Sequence, residues 1–334
     1  MKNLNIACLL AGGILLTQGC AKTTAGGAIL EDDSASGAVA SAIGGALSSS
    51  GSTGTMALLK TKPFLNQTIT SAMSSMIPSA FAANACPTFA TTGAGCMAST
   101  TNQWLSYSAC SFGNSSATWN GTQLLKMSSG TAACGTFPNP GASGTLVRQF
   151  VSAASSSTPA TATRTSLAGK IVTIDDASSN LSNFDSQAIS TVANGGYGTQ
   201  VTFDGAGKRS SVTIARRVYV TGGYDHSITG TLNVNEAATT STSRTLSGSV
   251  RVFHNALKVI GTSTFSSVTH SNTCCVPVAG SITTAFTAGA NVAPTRLGAL
   301  LVGKSETMTF TGCGTATVSA ADGTSADVTL GSCL

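Results

Sequence analysis

Val212-Thr213-Ile214-Ala215-Arg216-Arg217-Val218-Tyr219-Val220 is the stretch that decides the fold class. On an extended chain Val212, Ile214, Val218 and Val220 share one face, and Arg216 interrupts it. Such alternation, rich in β-branched residues, indicates an antiparallel sheet with one buried side. Residues 244–253 repeat it, with Leu246, Val250 and Val252 on a common face. Further strands are expected at 227–235, 257–270, 281–286, 306–311, 315–319 and 327–330, and Gly222-Gly223, His254-Asn255 and Asp322-Gly323 supply turn signals between them.

A short pattern leads into several strands: an apolar residue, a small one, Gly, then Ser or Thr. It stands at Trp119-Asn120-Gly121-Thr122, Ile228-Thr229-Gly230-Thr231, Leu246-Ser247-Gly248-Ser249 and Val278-Ala279-Gly280-Ser281. Glycine inside a strand marks a bulge, a bend or a close approach. The fold class read from these features is mainly β: an antiparallel meander folded as a sandwich or a curved, barrel-like sheet, with one or two short N-terminal helices.

Those helices would lie before residue 83. Residues 34–47 carry Val39, Ile43 and Leu47 at a spacing of four, but Gly37, Gly44 and Gly45 weaken a helix there by about 1 kcal/mol each. Residues 63–77 read better, with Pro63 at the first position, Leu65, Ile69, Met73 and Ile77 at helical spacing, and Pro78 as the stop. The domain reading is therefore a signal segment over 1–19, a low-complexity tether over 20–62, an amphipathic helix over 63–82, and a disulfide-containing β region over 83–333. The Ser/Thr/Ala-rich stretch 152–163 is the candidate internal boundary.

Of 334 residues, 17 are Lys or Arg, 12 are Asp or Glu and three are His, and charged residues make up 9% of the chain. Nucleic-acid binders carry a dense basic face. Here Lys208-Arg209, Arg216-Arg217 and Arg251 are scattered, so no nucleic-acid partner is expected and these residues read as solvated surface.

The chain begins Met1-Lys2-Asn3, followed by an apolar run from Ile6 to Leu16 that is far shorter than the roughly 20 residues of a bilayer span. Leu16-Thr17-Gln18-Gly19-Cys20 follows, with a small residue directly before a cysteine. This resembles the lipobox of bacterial lipoproteins. The resemblance implies cleavage before Cys20, diacylglycerol on its thiol and an acylated amine. Ala21 and Lys22 imply no inner-membrane retention, so the expected location is the cell envelope, lipid-anchored at the outer membrane. One acyl chain holds a protein marginally, at about 0.8 kcal/mol per buried methylene, whereas two or three hold it stably.

Ten cysteines are present. With Cys8 in the signal and Cys20 lipidated, two groups remain: Cys86, Cys96, Cys110 and Cys134, then Cys274, Cys275, Cys313 and Cys333. In an oxidising compartment these are disulfide candidates. Each group allows three pairings. Adjacent Cys274 and Cys275 point to opposite faces of a strand and are expected to take separate partners, Cys313 and Cys333. The spacings do not suit zinc. The pieces Cys274-Cys275-Val276-Pro277, Gly280-Ser281-Ile282-Thr283-Thr284, Thr309-Phe310-Thr311-Gly312-Cys313-Gly314 and Gly331-Ser332-Cys333 resemble uncharacterised Ser/Thr-rich lipoproteins of predatory Gram-negative bacteria. That resemblance implies architecture and no activity.

Few residues offer chemistry. Asp225-His226-Ser227 invites a hydrolase reading, but adjacent residues on an extended chain point apart, and no Gly-x-Ser-x-Gly turn accompanies them. Asp175-Asp176 ends the apolar run Ile171-Val172-Thr173-Ile174; a carboxylate pair without further oxygen ligands is a poor calcium or glycosidase signal, and a turn is expected. Trp104, Tyr107, Phe112 and Trp119 read as core within the first cysteine group. No catalytic residue, metal or cofactor is expected. The functional reading is a non-enzymatic envelope protein with a binding, adhesive or structural β domain. The alternatives are a carrier of an apolar ligand and an envelope hydrolase.

Overall fold

The computed structural model describes residues 39, 87–89, 101–111, 118–129, 142–165, 170–176, 192, 196–236, 243–271, 274, 277–320 and 323–330. The signal segment, Cys20, the tether apart from Val39, and the helix expected over 63–82 lie outside the described residues.

The protein is mainly β, and its strands form one antiparallel sheet with a ring-like arrangement. In chain order they are β1 (Thr88–Phe89), β2 (Asn102–Ser111), β3 (Thr118–Met127), β4 (Thr145–Val151), β5 (Thr161–Thr165), β6 (Ile171–Asp175), β7 (Gly198–Phe203), β8 (Arg209–Tyr219), β9 (Asp225–Glu236), β10 (Ser243–His254), β11 (Val259–Ser271), β12 (Pro277–Ala288), β13 (Ser305–Gly312), β14 (Thr315–Ser319) and β15 (Ser325–Thr329).

From β8 onward each strand pairs with the next in sequence, as a meander requires. The register shows that the middle of the sheet follows the same rule with two broken strands. Along one edge of β3, residues 122–127 face β4, and Trp119 and Asn120 face Arg164 and Thr163 of β5. Thus β4 and β5 form one interrupted row, with residues 152–160 looped out between them. Likewise β7 lies along 209–215 of β8, and β6 continues the row along 217–219. The two broken rows pair with each other twice, β4 with β7 and β5 with β6. The stretch 152–163, read from sequence as an internal boundary, therefore runs within this one sheet.

All four glycines of the recurring pattern, Gly121, Gly230, Gly248 and Gly280, have positive φ inside their strands. Gly280 illustrates the constraint. Its φ is +88°, and a β-carbon there would lie 2.3 Å from the Ser267 carbonyl oxygen, opposite the register shift between Ser266 and Thr269. Gly280→Ala is expected to lower stability by at least about 2 kcal/mol, read as a shifted denaturation midpoint. An unchanged midpoint would contradict this bulge geometry.

One face of the sheet carries the core. Leu105, Leu125, Leu146, Ile214, Leu232, Val252, Ile282, Met308 and Val328, from strands β2 to β15, belong to a single buried cluster. A flat sheet would leave that face wet; curving into a ring lets the strands cover one another. Val39 is helical, fully buried and part of the same cluster. Where the opposite face is apolar, loops cover it. Trp104, Leu124 and Val151 pack together, and the Trp104 Nε1–H donates to the Ser156 carbonyl at 2.7 Å. Phe253 and Ile260 pack with Val292. Tyr107 and Trp119 sit in the main core as expected, whereas Phe112 lies outside the described residues.

Cys274 and Cys313 form a disulfide, with α-carbons 5.8 Å apart, tying the β11–β12 connection to the β13–β14 turn. Cys110 is buried and also disulfide-bonded. Cys86, Cys96, Cys134, Cys275 and Cys333 lie outside the described residues. The Cys274–Cys313 bridge closes a loop of 39 residues, so replacing both cysteines with alanine is expected to cost about 2–4 kcal/mol in denaturant melts. A double variant as stable as the parent would show the bridge to be energetically idle.

Candidate functional site

The polar residues singled out in the sequence lie at the two junctions where β8 and β9 meet their neighbours. Asp176 follows β6 directly and points to the core face. Its carboxylate accepts from Arg216 Nε at 2.8 Å and Nη2 at 3.1 Å, and from the Phe150 backbone N–H at 2.7 Å. Arg216 also lies over the Phe150 ring, 5.3 Å from its centre. The group bridges β4, β6 and β8 where the broken rows leave a gap. Asp176 is fully buried and Asp175 nearly so, and the Arg216 partner compensates the buried charge of Asp176; the chain following this pair, where a turn is expected, lies outside the described residues.

Asp225 and Ser227 lie on the outer face of β9, and His226 lies on the core face, because adjacent strand residues alternate. Asp225 accepts from Arg217 Nε at 2.8 Å and Nη2 at 2.6 Å. The Asn255 side-chain amide donates to both Asp225 and Ser227 at 2.8 Å. On the other side, His226 sits directly across from His254 of β10, with ring centres 4.5 Å apart, and stacks on Tyr224 at 5.5 Å. Burial is complete at His226, and neither ring nitrogen has a hydrogen-bond partner among the described residues. Burial first, and the neighbouring His254 second, hold its pKa well below the usual histidine value. The sheet thus separates the imidazole from Asp225 and Ser227, and the trio forms no relay.

Several charged groups turned inward were not anticipated. Arg209 and Arg216, expected on solvated surface, are only about one-twentieth exposed, at 6% and 5%; Arg209 pairs with Glu236 as Arg216 does with Asp176. Arg148 and Arg244 are buried on the core face, and burial lowers each to about 10. Tyr107 donates to Gln123 at 3.1 Å, and burial raises its pKa to about 12 against the opposing pull of Arg148 and Arg216. His270 of β11, opposite Arg244, is pushed down to about 3 by burial and then by that arginine. For all of them except Arg209 the signal was present in the sequence: they occupy the apolar parity of their strands, as in Leu146-x-Arg148-x-Phe150.

The outer face is different in kind. Thr213, Thr231, Ser249, Thr264, Thr283, Thr307, Ser319 and Ser325 are successive cross-strand partners from β8 to β15. Neighbouring hydroxyls bond at 2.9 Å between Thr213 and Thr231, 3.0 Å between Thr283 and Thr307, and 3.2 Å between Ser319 and Ser325. One row of hydroxyls crosses eight strands, repeating at the strand spacing of about 4.8 Å.

Comparison with known proteins adds no family. No family model, curated protein or solved structure matches the chain. Among the described residues no group of three or more His, Cys, Asp or Glu side chains is placed to hold a metal ion. No helix among them is long and apolar enough to cross a membrane, which says nothing of strands. The site residues therefore rest on their own geometry: Asp176 and Asp225 are carboxylates saturated by arginine, His226 is a buried neutral imidazole, and the exposed face offers neutral hydroxyls.

Proposed function

We propose that the chain is a lipid-anchored envelope protein whose β domain binds or scaffolds a component of the envelope and carries out no catalysis. The observation that carries this reading is the division between the two faces of the sheet. Asp176 and Asp225, two of the carboxylates singled out as reactive candidates, are held by arginines as parts of the fold, while the face left to solvent carries an ordered row of Ser and Thr. Such a row is uncharged and rich in paired donors and acceptors, and the charged residues beside it on that face, such as Arg251 and Asp327, are of both signs. It suits a neutral, polyhydroxylated polymer better than a nucleic acid or a strongly charged partner. The Gly19-Cys20 motif supports the anchor, and an oxidising envelope suits the Cys274–Cys313 bridge. The resemblance of Leu16–Cys20 to a lipobox, followed by Ala21 and Lys22, supports a location at the outer membrane.

Palmitate labelling with cell fractionation tests the anchor. The wild-type chain should carry label and sediment with membranes. The Cys20→Ser variant should lose the label and become soluble. Equal partitioning of the two proteins, with no label on either, would refute it. The hydroxyl face has its own test: Thr231→Val, Thr264→Val and Thr283→Val together should weaken retention on envelope polysaccharide while leaving the fold intact.

A further inference from the structure

We propose that the loop joining β12 to β13 is a membrane-contacting tip that seats in the head-group region of an anionic lipid bilayer. This goes beyond the anchor at Cys20 and does not depend on it.

Four large apolar side chains stand out as exposed among the described residues, and three belong to this loop: Leu297 at 46%, Leu300 at 49% and Val302 at 40%. They lie in and beside the 3-10 turn Gly298–Leu300. Looseness does not explain their exposure, because the turn is pinned. The Thr295 backbone N–H and hydroxyl both donate to the Leu257 carbonyl, at 3.0 and 3.2 Å. Thr295 Oγ1 in turn accepts from the Gly298 N–H at 3.1 Å. Gly298 packs so tightly on the β10–β11 turn that a β-carbon would meet the Leu257 oxygen at 2.1 Å. Leu301, between the exposed side chains, turns inward against the core. The fold thus packs the leucine that caps the turn partly against the core and holds its neighbours outward.

The exposed charges around this tip have one sign. Arg296 and Lys304 flank it and are exposed, Lys258 lies on the adjoining turn, and residues 287–304 contain no acidic residue. Glu306, two residues past Lys304, is buried at 1% exposure, and Asp225, whose backbone bonds Asn255 at the adjoining turn, is bound to Arg217. Apolar side chains to enter the acyl boundary, ringed by cations for lipid phosphates, make the chemistry of an interfacial anchor. A second copy of the chain fits worse, since it would bring the same cations face to face.

The test uses the full chain with Leu300→Trp, placed on vesicles of phosphatidylcholine with or without phosphatidylglycerol and with brominated acyl chains. The parent chain, whose Trp104 and Trp119 are buried, gives the background. The introduced indole should shift to the blue and be quenched on anionic vesicles. Adding Arg296→Glu and Lys304→Glu should weaken that response at least about 10-fold, the loss expected for reversing two interfacial cations. Emission that stays water-like and unquenched on anionic vesicles would overturn the proposal. A blue shift that appears without vesicles and grows with protein concentration would overturn it too, by assigning the tip to a second copy. Because the readout is local to the loop, its failure is distinct from failure of lipidation at Cys20.

Discussion

Lowering the pH from 7 to 4.5 is expected to destabilise the protein steeply. His226 and His270 are buried, and both have pKa values in the folded state below the unfolded value of about 6.5, His270 at about 3. Above pH 6.5 the two states bind the same number of protons at these groups, and the stability they contribute is fully present. Below it the unfolded chain takes up protons that the folded chain refuses, so stability falls as the pH drops toward the folded values. With its folded value at about 3, His270 contributes a slope of about 1.4 kcal/mol per pH unit, or roughly 3 kcal/mol by pH 4.5. His226 adds to this loss in the same direction, and a few kcal/mol is a large share of the stability of an ordinary domain. Denaturant midpoints between pH 7 and 4.5 measure it. His226→Gln and His270→Gln should each remove about one proton's worth of slope. Variants with the same slope as the parent would show that these imidazoles are not the acid-labile groups.

Asp176→Ala should be the most damaging single substitution among the polar residues. It removes both carboxylate bonds to Arg216 and the acceptor of the Phe150 N–H, leaving a guanidinium in the core beside an unpaired backbone donor. Breaking a buried pair from one side costs about 3–5 kcal/mol. It falls where the broken rows β4–β5 and β6–β7 have no ladder bonds of their own, so the local loss spreads to both. The double change Asp176→Leu with Arg216→Met should recover most of the stability, because no uncompensated charge remains. A double variant as unstable as Asp176→Ala would mean that shape, and not charge, holds the junction.

The meander from β8 onward was legible because alternation is a local signal. Residues 315–319 match β14, the strands around Leu246 and Ile282 run one to four residues beyond their expected ends, and β8 starts three residues before Val212 and stops at Tyr219. Ser210, Ser211 and Ser243 continue the ladder without an apolar mark, and Pro277 and Gly280 hide the start of β12. Strands before residue 200 were harder. β5, β6 and β7 are five or six residues long, and what makes β4 with β5 or β6 with β7 a single row is pairing with β3 and β8, a contact no local window contains.

The candidate site was legible in its negative part. Alternation alone separates His226 from Asp225 and Ser227, and the structure places them on opposite faces. What sequence reading missed was the sense of the arginines. Arg209 and Arg216 passed for surface because basic residues usually are, although the parity of Arg216 on the apolar face of β8 already argued otherwise. The hydroxyl row was visible only as composition. Eight Ser and Thr residues become a row through register, and register is set by bulges such as the one at Gly248.

Mass spectrometry of the mature N-terminus tests the account most directly, since the proposed lipid anchoring in the envelope begins at Cys20. The account predicts that the purified protein starts at Cys20, with a diacylglyceryl thioether on its sulfur and an acylated amine. A first residue elsewhere, or an unmodified Cys20 thiol, would contradict it.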